Sequence, residues 1–199
     1  GSGSLEASDF ALSITGGTAT LSSATPTEIS ASGNIYTLGI SLSGTPDGSE
    51  VLVVVPVESA IFDSVGNVAS TTQTNNTANL KDKTAPTVSS FKLESNNSTI
   101  EATFSEAVFS KSDGSGALEA TDFIFTLQGG EATLSSTTPA SISSSGNTYT
   151  LGIGLSGTPD GVEVLTVTLV DSAIYDAASN IASVTQNNNS TTLFRSEEH

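Results

Sequence analysis

Two pairs of oxygen-bearing side chains, Asp63 with Asn67 and Asp176 with Asn180, have the types and spacing to do chemistry, and that chemistry is the holding of a hard cation. Calcium takes about six to eight oxygens from carboxylates, amides, backbone carbonyls and water. A chain with 21 Asp and Glu against 5 Lys and Arg, at a formal net charge of -16, is rich in such groups. Asp82, a little further along from the first pair, is a further candidate. The competing reading of each pair is an Asx turn, in which the Asp side chain binds nearby backbone N–H groups.

Other chemistries find little support. Cysteine, methionine and tryptophan are absent and the single histidine is His199, which argues against thiolate metal sites, thiol redox chemistry and histidine catalysis. So acidic a surface disfavours nucleic acid and anionic membranes, both of which are bound through clustered Lys and Arg. No apolar run approaches the roughly 20 residues of a membrane-spanning helix, so no membrane insertion is expected. Glu101 and Glu106 cannot act as a paired acid and base, because five positions apart on a strand they face opposite sides. Asp47 and Asp160 belong to Pro-Asp-Gly turns and read as turn residues. No catalytic residue is assigned, and the chain is not expected to be an enzyme. Asn-x-Ser/Thr matches such as those at Asn75, Asn97 and Asn189 arise readily in so Asn-, Ser- and Thr-rich a chain.

The elements that position these residues are written twice. LEASDF at Leu5 recurs as LEATDF at Leu118, LSGTPDG at Leu42 recurs at Leu155, and SAIFD at Ser59 recurs as SAIYD at Ser172, always 113 residues later. From Leu5 to Leu80, 48 of 76 positions match without a gap, which composition alone would not produce. Residues 1–81 are therefore expected to be an N-terminally truncated repeat, residues 82–194 a complete one, and residues 195–199 a tag-like tail. Within a unit the signal is strand: TVSSFKLE, STIEATFSEAVF, DFIFTLQ, EATLSS, NTYTLGIGL, EVLTVTLV and a segment ending in TTLF. Pro-Asp-Gly, Gly-Gly and Gly-Asn turns separate them. Pro56 belongs at a strand end or sheet edge, because it cannot donate a ladder hydrogen bond. Seven short strands at this spacing predict an all-β fold of tandem immunoglobulin-like Greek-key β-sandwiches.

The order FSEAVF, ATDF, Gly-Gly, YTLGI, PDG, AIYDAASN and DKTAPT resembles the bacterial Ig-like repeats of large surface adhesins. Those repeats carry TFSEPV-like, DF, DAAGN-like and DTTAPT-like segments. Here Ala107 stands at the usual proline, and Ser179 replaces the glycine that the first copy keeps as Gly66, which works against a tight loop. The resemblance implies an extracellular, cell-surface spacer, or stalk, with calcium stiffening the joints between tandem domains. It adds Glu106 and Asp122 to the candidate metal ligands, as the acids carried by its motifs. The alternative is that the repeats are themselves adhesion modules for a glycan or protein. Differences between the copies, such as Thr18/Glu131, Ser41/Gly154 and Ser49/Val162, are scattered rather than clustered in loops, which leans towards a spacer. Other parts of the parent would then contact a cell-surface glycan or protein. A truncated first copy also leaves a sheet edge to be filled by strand addition, from a neighbouring repeat or another copy of the chain.

Overall fold

The computed structural model describes residues 3–196. The fold is all-β, built from short antiparallel strands with single 3-10 turns at Ala7–Asp9 and Ala120–Asp122. The chain divides into two units between Thr84 and Ala85. That is later than the expected start at Asp82, because the Lys83 N–H (2.9 Å) and the Thr84 hydroxyl (3.0 Å) both donate to the Pro46 carbonyl of the first unit.

The first unit contains β1 (Phe10–Thr15), β2 (Thr20–Leu21), β3 (Ile29–Ser32), β4 (Ile35–Leu38), β5 (Leu42–Ser43), β6 (Val51–Pro56) and β7 (Thr77–Asn79). They form three sheets, in the orders β1-β6-β7, β2-β5 and β3-β4. Pro56 closes β6 opposite Phe10, so its missing N–H falls at a strand end.

The second unit opens with β8 (Val88–Leu93) and β9 (Thr99–Phe104), which have no counterpart among the described residues of the first. It then repeats the pattern as β10 (Phe123–Gln128), β11 (Thr133–Leu134), β12 (Ile142–Ser145), β13 (Thr148–Gly152), β14 (Leu155–Ser156), β15 (Val164–Leu169) and β16 (Ser190–Thr192). Its sheets run β12-β13-β9-β8, β10-β15-β16 and β11-β14. Strict alternation along β9 buries Ile100, Ala102 and Phe104 while the residues between them stay half-exposed. Those side chains meet Phe123 and Phe125 from β10 and Leu165 and Val167 from β15 in one core. Phe104 lies edge-on to Tyr149, with ring centroids 5.6 Å apart, a favoured aromatic geometry.

Each expected strand of the complete copy has a counterpart, though NTYTLGIGL divides between β13 and β14 and two further details differ. The EAVF end of the second is not strand; only Phe109 makes an isolated bridge, to Tyr175. β12, reading ISSS, was not expected, because three serines carry no apolar alternation. Of the tail, Glu197 to His199 lie outside the described residues. Ser196 still donates its N–H to the Pro159 carbonyl at 3.0 Å, as Lys83 does to Pro46, so the repeat's path continues into the start of the tail.

Candidate functional site

The expected Asp/Asn pairs form the same closed loop in each copy. Asp63 Oδ1 accepts the N–H groups of Val65 (2.9 Å) and Asn67 (2.8 Å), and its Oδ2 accepts the Asn67 amide at 2.8 Å. Asp176 repeats this with Ala178 (2.8 Å), Asn180 N–H (2.7 Å) and the Asn180 amide (2.7 Å). The Asx turn is therefore present at both positions. Bonding to the Asn67 side chain and backbone holds the Asp63 carboxyl below its ordinary range. Ser179 does not open the second loop: it adopts φ 73, in the left-handed region that Gly66 occupies at φ 93. Its hydroxyl donates to the Ser112 carbonyl, which helps hold a side-chain-bearing residue in that conformation.

The two aspartates differ in what covers them. Asp63 is exposed, whereas Asp176 is fully buried, beneath a segment that follows β9. Glu106 comes from that segment, and its carboxylate and that of Asp176 offer oxygens within 4.8 Å of each other. A carboxylate has about four lone-pair directions, and Asp176 spends three on its loop. Asp122 is used locally instead: its Oδ2 accepts the Glu119 N–H at 2.8 Å and caps a 3-10 turn, while burial raises its carboxyl above the ordinary range. Asp82 belongs to the first unit, where its Oδ1 accepts the Thr84 N–H at 2.8 Å. Asp47 and Asp160 are turn residues, bonding the N–H of Ser49 and Val162 at 3.0 Å each.

The most heavily coordinated acids were not anticipated. Glu50 and Glu163, each just before an apolar strand, are fully buried. Glu163 accepts N–H bonds from Ala132 (3.1 Å), Asp160 (3.1 Å at its nearer oxygen) and Gly161 (3.1 Å). Glu50 accepts them from Thr18 (3.0 Å), Ala19 (2.9 Å), Asp47 (3.1 Å) and Gly48 (3.1 Å). Each glutamate thus ties the Pro-Asp-Gly turn beside it to a Gly-Gly turn about thirty residues upstream. A Cβ on Gly17 or Gly130 would lie 2.2 Å from the glutamate Cδ, and both glycines have positive φ, so only glycine fits. Burial pushes the Glu163 carboxyl up, but N–H donors led by Ala132 outweigh it and hold the pKa at about 2. The Ala19 N–H leads the same lowering at Glu50, against the opposing effect of burial. The sequence signal was an acid two residues after Pro-Asp-Gly, with Gly-Gly upstream, in both copies.

A scan against protein-family models, a search of curated proteins and a search of solved structures each returned no match.

Proposed function

We propose that this chain is a pair of tandem immunoglobulin-like repeats from the spacer, or stalk, of a bacterial surface adhesin, acting outside the cell to hold adhesive parts away from its surface. The observation that carries this reading is the repetition of one mechanical detail: the buried glutamate that ties two turns together occurs in both copies, 113 residues apart. A binding surface is free to diverge between copies, whereas a spacer needs the same rigid body each time. In the same reading calcium binds at Glu106 and Asp176 and stiffens the repeat. Adding calcium at about 100 times its dissociation constant would then stabilise the unit by about 2.7 kcal/mol. Thermal unfolding with calcium and with chelator tests this part, and an unchanged midpoint removes it. The spacer reading is tested by small-angle scattering on arrays of two, four and eight units. Maximum dimension should rise in proportion to the number of units; growth as the cube root, expected of a compact cluster, would overturn it.

A further inference from the structure

We infer that the second unit carries a docking groove for a short, basic, extended peptide segment of another protein, which pairs with the open edge of β10 at Leu127. The inference does not depend on the spacer reading. It rests on the backbone of one strand edge, the groove beside it and the charge around it.

Along β10 the backbone groups of successive residues point alternately towards β15 and away from it. Phe125 points away: its N–H donates to the Thr137 carbonyl at 2.7 Å, while Val167, opposite it in β15, donates to the Asn189 carbonyl at 2.9 Å. Leu127, two residues on, points the same way, and among the described residues no backbone group meets its N–H or C=O. Elsewhere in this unit side chains close the edges. The Asn188 amide donates to the Val88 and Ser89 carbonyls of β8 at 3.3 and 3.2 Å. Asn97 takes up both the N–H (2.8 Å) and the C=O (2.7 Å) of Phe194, just past β16.

A groove of about 410 Å³ lies beside this edge, lined by Phe125 and Leu127 of β10, by Ala132 and by Leu134 of β11, and by the Gly129–Gly130 turn that joins them. An open donor and an open acceptor on one residue are what an added antiparallel strand uses: a single residue of the segment accepts from the Leu127 N–H and donates to its C=O. The side chain of that residue falls on the Leu127 face, over Ala132 and Leu134, and is therefore apolar. Its two neighbours fall on the outer face with Thr126 and Gln128, where polar residues fit. Charge selects the source. Glu131 is exposed between two lining residues, the buried Glu163 carboxylate lies behind Gly130, and no Lys or Arg lines the groove. A basic segment is attracted, whereas a second copy would set two chains of net charge -16 against each other and bring recess against recess. The first copy repeats the backbone arrangement, its Leu12 N–H donating to the Ala24 carbonyl at 2.7 Å, but has Thr18 in place of Glu131. It is a control within the same chain.

The test titrates the isotope-labelled natural chain with the peptide acetyl-Lys-Thr-Val-Thr-Lys-amide and follows each backbone amide by NMR. One control peptide carries N-methylvaline, which removes the donor that faces the Leu127 carbonyl; a second carries glutamate for both lysines. The expected result is a saturable shift centred on Leu127 and extending to Ala132 and Leu134, with slowed exchange of the Leu127 amide. Neither control should reproduce it, and Glu131→Thr should weaken binding by about two- to fivefold, the scale of an exposed ion pair. No shift at Leu127 with millimolar peptide, equal binding by either control, unchanged affinity in Glu131→Thr, or shifts centred on Ile14 of the first unit would overturn the proposal. So would a Leu127 amide that exchanges in the free chain as slowly as that of Leu165, since the edge would then already be covered.

Discussion

Truncating Leu151 and Leu38 to alanine places one perturbation at equivalent positions that differ in their cover. Leu151 is fully buried in β13, between Ile142 of β12 and Ile100 of β9. Removing a side chain from such a site loses transfer free energy and leaves a cavity that the neighbours only partly fill, and Leu→Ala changes of this kind cost about 3 to 5 kcal/mol. Leu38 has Ile29 on one side and no described strand on the other, and it is only half-buried. Full burial of a leucine contributes about 1.5 to 3 kcal/mol, so a half-buried one open to water contributes about 1 kcal/mol, with little cavity to add. The second unit should therefore lose about 2 to 4 kcal/mol more from Leu151→Ala than the first loses from Leu38→Ala. Because the chain has no tryptophan, bulk fluorescence separates the units poorly. Hydrogen exchange read peptide by peptide assigns an opening free energy to each. Equal losses, or a larger loss at Leu38, would mean that β4 is covered in solution and would refute the comparison of the two faces.

Other expectations follow from the glutamate tie. The Glu163 pKa lies below its unfolded value, so its stabilisation is fully present above about pH 4.5 and declines as pH falls towards about 2. In Glu163→Gln the acid-induced loss of stability across that window should be smaller than in the natural chain, as measured by denaturant midpoints at each pH. Gly130→Ala should destabilise the second unit by more than the roughly 1 to 2 kcal/mol of a left-handed non-glycine residue, because its Cβ also meets Glu163 at 2.2 Å. Thermal unfolding checks this, and a shift below about 4 °C would contradict it.

What the sequence made legible was whatever depends on neighbours along the chain. Alternation in STIEATF announced β9, Pro56 marked a strand end, and the Asp176 loop followed from Asp and Asn four apart. What it hid depends on residues brought together from a distance. Glu163 reads as a solvated acid beside a turn, yet N–H groups of Asp160, Gly161 and the distant Ala132 converge on it and make its burial tolerable. Asp63 and Asp176 share the Asp and Asn four apart and the same local bonds but have opposite burial, because Asp176 is covered by a segment with no counterpart among the described residues of the first unit. β12 escaped notice for a related reason: its serines alternate nothing, and pairing with β13 alone makes ISSS a strand.

The spacer reading stands most directly on pulling an array of the 113-residue unit end to end by atomic force microscopy. Each unit should unfold as one event, and all events should release the same length, about 370 to 410 Å at roughly 3.3 to 3.6 Å per residue. Their number should equal the number of units, and weakening the glutamate tie by Glu163→Gln in every unit should lower the unfolding force. Smooth extension without discrete events, or release lengths that vary from unit to unit, would contradict it.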